Sequence, residues 1–282
     1  MRISTFILFL FLALDSAAQI THPKASPFSV MEQEVGLSKI TIQYSRPAVK
    51  GRTVFGQLVP YSRIWRVGAN ASTKITLDSD IKVLGNTLSK GIYALYAFPN
   101  ENTWEIVFHN TTTHWGDGRT AYDPAEDALR VTVIPEKIPY SQENFLITFD
   151  NITHNSLDMI WIWENAKIVV PMTVDTHNAM LGEIAKQLHQ NPTAQTYYEA
   201  ARYYQEQGME YPLALEYLNK AIALGGDTYY FHRVKSLVEA ALGDYKAALV
   251  SAQKSMVIAA KEGKDEFVRM NQENSINWKK IN

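Results

Sequence analysis

Between residues 44 and 70 the chain gathers Arg46, Lys50, Arg52, Arg63 and Arg66 among Tyr44, Phe55, Tyr61 and Trp65, with prolines and glycines between them. A guanidinium binds a carboxylate or phosphate through two parallel hydrogen bonds, and an aromatic face stacks on a sugar or a cation. The segment is therefore a candidate pocket for an acidic ligand, with Arg46, Lys50, Arg52, Trp65, Arg66 and Asn70 as its candidate binding residues. The alternative is structural: prolines and glycines shape turns, while the arginines satisfy loop carbonyls or pair with acids such as Glu32 and Glu34.

A second cluster runs from His109 to Asp127 and holds Asn110, His114, Asp117, Asp123 and Glu126. Imidazole nitrogen and carboxylate oxygen are ligands of zinc and other first-row metals, so His109, His114 and Asp117 are candidate metal ligands for a metal-assisted hydrolase. The spacing matches neither a paired-histidine helix nor a calcium loop, and Asp117-Gly118 and Asp123-Pro124 are also ordinary turn chemistry. No cofactor is expected, and a divalent metal is the single exception considered. There is no Gly-x-Ser-x-Gly elbow, no cysteine and no glycine-rich phosphate loop. Trp104, Trp115, Trp161 and Trp163 would serve a carbohydrate-binding module if exposed; packing within strands is the alternative.

These residues must be held by a substantial core. Of 282 residues, 46% are hydrophobic and 20% charged, enough to bury a core, and the formal net charge of −2 gives no reason to expect a nucleic-acid partner. Arg2, the apolar run from Ile3 to Leu14 and the small residues Ser16 and Ala18 have the layout of a signal peptide over residues 1–18, cut before Gln19. The mature chain is then expected in the periplasm or outside the cell, with no membrane span.

From Phe28 to Val174 the pattern has period two: Ile40, Ile42 and Tyr44 alternate with polar residues, as do Leu129, Val131 and Val133, and Phe145, Ile147 and Phe149. About nine short strands are predicted, the last two being a pair over Met159–Trp163 and Lys167–Val174, with Gly85-Asn86 as a tight turn. This spacing predicts an all-β, sandwich-like domain over residues 28–174.

At Asp175 the period changes to that of a helix, and residues 175–282 are predicted to be all-helical. Ala214 and Ala248 stand 248 − 214 = 34 residues apart, and the pairs Leu218/Ala252 and Ala221/Ser255 keep that offset. A 34-residue period of helix–turn–helix units marks a tetratricopeptide-like stack. Such stacks present a face to a protein or peptide, and Tyr197, Arg202, Tyr204, Arg233 and Lys235 are the candidate partner-binding residues. Helix packing or plain solvation is the alternative for each.

The strings Tyr44-Ser45-Arg46-Pro47, Lys50-Gly51-Arg52, Phe55 to Tyr61, Trp65 to Asn70, Lys90 to Leu95 and His114-Trp115-Gly116 together resemble the bacterial family termed domain of unknown function 2911. Its members are frequent in Bacteroidetes, carry signal peptides and often have tetratricopeptide-like helices after the domain. The resemblance implies a β-rich fold and export, and it supplies no reaction. The reading is an exported binding or scaffold protein of the cell envelope, leaning away from an enzyme. Its expected partners are an acidic small molecule or glycan at the β-domain and a protein or peptide at the helices.

Overall fold

The computed structural model describes residues 22–116 and 119–281. The predicted leader and Asp117 lie outside the described residues. The chain divides into two compact units, one ending at Val174 and the other beginning at Asp175.

The first unit is an antiparallel β-sandwich. One sheet has six strands in the order β1 (Phe28–Val35), β2 (Ser38–Ser45), β3 (Thr73–Leu77), β6 (Gly91–Pro99), β7 (Trp104–His109) and β8 (Asp127–Val133). The other has four, in the order β5 (Asn86–Leu88), β4 (Ile81–Val83), β10 (Ser156–Val174) and β9 (Glu136–Asp150). Strand alternation builds the core between the sheets. In β2, Ile40, Ile42 and Tyr44 are buried, whereas Lys39 and Gln43 face outward. From the second sheet, Phe145, Ile147, Met159, Trp161 and Trp163 fill the same core.

Two boundaries differ from the sequence pattern. The turn between β4 and β5 uses Leu84 (φ 49°) and Gly85 (φ 81°), and Asn86 already belongs to β5. Two successive positive φ angles are those of a hairpin turn that matches strand twist. The predicted last pair is one 19-residue strand, β10. Its polar middle, Glu164-Asn165, reads as a break, but register shifts on either side of Glu164 absorb it and the strand continues.

Two aromatic residues of the segment that follows β2 tie it to this core. Trp65 stacks on Trp163 with centroids 5.8 Å apart, and Phe55 packs edge-on against Trp104 at 4.6 Å. The Tyr44 hydroxyl accepts from Ile147 N at 3.0 Å, joining the two sheets inside the core.

The second unit has six helices: α1 (Thr176–Gln190), α2 (Ala194–Glu206), α3 (Tyr211–Ala223), α4 (Tyr229–Ala241), α5 (Tyr245–Lys261) and α6 (Asp265–Ile281). Asp175, Thr193, Thr228 and Asp244 cap four of them by accepting from a backbone N–H of the first turn. Helix α2 packs on α3, α4 on α5, and α5 on α6. Ala214, Leu218, Ala221, Ala248, Ala252 and Ser255 are all fully buried, so the positions that repeat at 34 residues lie in the interior of the unit. The unit also buries a polar knot. The Asn271 amide donates to Ser255 Oγ at 2.9 Å and to Phe267 O at 2.8 Å, while its oxygen accepts from Arg233 Nη1 at 3.1 Å.

Candidate functional site

The connection between β2 and β3 carries the candidate site. Extended backbone cannot make its tight reversals, and Lys50, Ser62, Val67 and Asn70 all adopt positive φ, as do Gly51, Gly56 and Gly68. Gly68 (φ 146°) has a strict reason to be glycine: a Cβ there would stand 2.9 Å from the Ser45 carbonyl oxygen. The segment is pinned to the first sheet where Trp65 and Ala97 exchange backbone hydrogen bonds at 2.8 Å. The Trp65 indole also donates to Gly68 O at 3.2 Å.

This folding opens a cleft of about 610 Å³. Lys50, Arg52, Arg63, Arg66 and Arg119 line it, and none of the described lining residues is acidic. Its apolar lining includes Pro47, Ala48, Leu58, Pro60, Ile64, Trp65 and Trp163. Two neighbouring acids are occupied by backbone amides: Glu143 accepts from Lys50 N at 2.9 Å and Glu164 from Val54 N at 3.1 Å. A concavity lined by one sign of charge beside low-dielectric walls concentrates counter-ions.

The structure divides the sequence-predicted set. Lys50, Arg52, Trp65 and Arg66 come together in the cleft. Arg46 and Asn70 are not among its lining residues. Arg46 Nε donates to Phe145 O at 2.9 Å, joining the β2 end to β9, and the Asn70 amide donates to Ser45 Oγ at 3.0 Å. Arg52 combines both proposed roles: it lines the cleft, and it donates to Val49 O at 2.9 Å and Ala48 O at 2.6 Å. Arg119 enters from the β7–β8 connection, more than 50 residues after Arg66, and no local pattern places it there.

On the first sheet His109 is the buried end of a polar network that reaches the surface. His109 is fully buried, its Nδ1 lies 3.1 Å from Asp127 Oδ1, and its Nε2 is 3.4 Å from Glu126 Oε2 without hydrogen-bond alignment. Asp127 accepts from the Tyr122 hydroxyl at 2.8 Å and from Arg130 Nη2 at 2.8 Å, and Arg130 Nη1 donates to Glu105 at 2.8 Å. Burial and the Asp127 carboxylate push the Tyr122 hydroxyl well above its ordinary range. The His114 ring lies 5.6 Å from that of His109, and its Nδ1 is 3.4 Å from the Tyr96 hydroxyl. Among the described residues no group of three histidine or carboxylate side chains is arranged to hold a metal. Tyr122 and Arg130 belong to this network although residue type alone did not single them out. Trp104, Trp161 and Trp163 are buried, whereas Trp115 is 78% exposed.

In the helical unit the five predicted face residues do not form one surface. Tyr204 is buried, and Tyr197 packs against Tyr217 at 5.5 Å. Arg202 pairs with Glu206 at 2.7 Å, Lys235 lies 3.7 Å from Glu239, and Arg233 is bound to Asn271.

The molecule is thus defined as an antiparallel β-sandwich with a basic, apolar-walled cleft, joined in sequence to a unit of helical hairpins. Residues 26–172 match the model of the family described as Protein of unknown function (DUF2911). That match spans just over half of the chain, and the chain belongs to this family. No curated protein and no solved structure matches it. No described helix is long and apolar enough to cross a membrane.

Proposed function

We propose that the protein is a non-catalytic binding protein of the cell envelope whose β-domain takes an anionic ligand into the cleft beside Trp65. One observation carries this reading: five basic residues from two chain segments line one cavity with no acidic residue among the described lining. The cleft volume is in the range of small-molecule sites. Placement in the envelope rests on the leader-like start of the chain. The helical unit is read as a protein-binding part by analogy with other helical-hairpin stacks.

The test is thermal unfolding of the purified chain in low salt against acidic metabolites, neutral glycans and zinc. A ligand at 100 times its dissociation constant stabilises the native state by about 2.7 kcal/mol, a shift on the order of 5 °C or more. The reading expects acidic compounds to raise the midpoint and the shift to shrink with salt. A shift with zinc alone, or with neutral glycans alone, would overturn it.

A further inference from the structure

Helices α5 and α6 pack as a hairpin joined by residues 262–264, and a groove of about 530 Å³ stays open between them. Met256, Val257, Ala260, Val268 and Ile276 supply its apolar lining. Side chains three and four residues apart share a helix face, so Val250 extends the α5 wall beyond Gln253 and Val257. Val250 is 71% exposed, Val257 59% and Ile276 56%. Aliphatic side chains grouped along a groove gain when another apolar surface takes them out of water.

Charge selects the occupant. The same spacing sets Lys246 and Lys261 beside the α5 wall, and Arg269, Lys279 and Lys280 beside the α6 wall, with Asp265 the one acid on either stripe. None of these five cations forms an ion pair among the described residues, whereas Lys254, which pairs with Asp227 at 2.8 Å, is not counted with them. None of the described residues lining the groove is acidic.

We infer that this groove docks an amphipathic helix of another protein, its apolar stripe flanked by aspartate and glutamate. This rests on the reading of the helical unit as a protein-binding part and gives that reading one surface and one partner chemistry. At 1.5 Å per residue the wall from Val250 to Lys261 runs about 17 Å, the length of roughly three helical turns. Helices seat in such grooves through side chains at i, i+4 and i+7. A second copy of this chain fits poorly. A two-fold contact through this face would set the end with Lys246, Lys279 and Lys280 against the end with Lys261 and Arg269, cation against cation. A bilayer fits poorly as well, because a recessed groove offers its apolar lining to a narrow element and not to a plane.

Fluorescence anisotropy of the full chain in low salt provides the test. The probes are three labelled, helix-stapled peptides of about five turns. One carries leucine at i, i+4, i+7 and i+11 with glutamate beside the stripe, one has lysine for each glutamate, and one is a scramble of the first. Phosphatidylglycerol vesicles are the fourth probe. The glutamate peptide is expected to bind at least tenfold tighter than the other two. The double variant Val257→Gln, Ile276→Gln is expected to weaken that binding tenfold or more. Both side chains are more than half exposed, so its thermal midpoint is expected to match the parent. The double variant Lys261→Glu, Lys279→Glu is expected to turn the preference toward the lysine peptide. Equal binding of the three peptides would remove the charge selection and overturn the inference. Glutamate-peptide binding that neither variant alters would place capture on another surface, overturning the groove and leaving the protein-binding reading. Vesicle binding without peptide binding would assign the face to a membrane and overturn the inference. Binding of no probe would overturn the inference and the protein-binding reading together.

Discussion

Replacing Gly68 by alanine tests whether the cleft-forming segment is built as described. Gly68 has φ 146°, and a Cβ would lie 2.9 Å from Ser45 O and 3.1 Å from Thr73 Oγ1. Neither neighbour yields easily. Ser45 closes β2, and the Thr73 hydroxyl donates to the Val67 carbonyl one residue before the glycine. The unfavourable φ and the forced displacement together cost about 3 kcal/mol. Gly51→Ala is the internal control. It also has positive φ (69°), but no atom lies within 4 Å of its new Cβ, so only the conformational cost of about 1 kcal/mol applies. For a domain of this size the midpoints should fall by about 6–12 °C and about 2–4 °C respectively. Five of the six tryptophans lie in the β-domain, so intrinsic fluorescence during thermal or urea unfolding follows the relevant unit. A Gly68→Ala loss equal to or smaller than that of Gly51→Ala would refute the close approach of residues 67–68 to the end of β2.

Three further outcomes follow from other parts of the molecule. Asp127→Asn removes the carboxylate that holds Tyr122, Arg130 and His109 together, and should destabilise the β-domain by about 2–4 kcal/mol in urea melts. Asn271→Ala leaves Arg233 Nη1 and Ser255 Oγ without their shared partner, and should cost the helical unit about 2–3 kcal/mol by far-UV circular dichroism. Burial holds the His232 imidazole below its ordinary value, outweighing the Asp227 carboxylate 2.6 Å away. The unfolded chain therefore takes up a proton first, and helical-unit stability should fall as pH drops through about 6.5 toward the lower folded value. Replacing His232 by Gln should flatten that fall between pH 7 and 5; an unchanged pH profile would exclude His232 as its source.

The architecture was legible where local periodicity and burial coincide. Ile40, Ile42 and Tyr44 alternate into the sandwich core, and Ala214 and Ala248, 34 residues apart, are both fully buried. It was less legible where tertiary pairing overrides a local break. Glu164-Asn165 looks like a break, but pairing of β10 with β9 before and after it carries the strand through. The basic segment stood out because arginines among prolines, glycines and aromatics are an unusual mixture. What sequence could not do was sort its members. Arg46 and Arg66 have the same residue type, yet Arg46 bonds to Phe145 O while Arg66 lines the cleft, a division set by long-range placement of the loop. Arg119 was invisible for the same reason: its approach depends on the β7–β8 connection. The histidine cluster stood out by residue type, but its partners did not: strand geometry places Asp127 on His109 and builds a network around Tyr122 and Arg130.

The central claim is that the β-domain holds an anion in the cleft beside Trp65. Crystals of the full chain soaked in tungstate and measured at the tungsten absorption edge locate bound oxyanions directly. The account predicts the strongest anomalous peak inside the cleft, within contact distance of Lys50, Arg63 or Arg66. Strong peaks elsewhere with none in the cleft would contradict it.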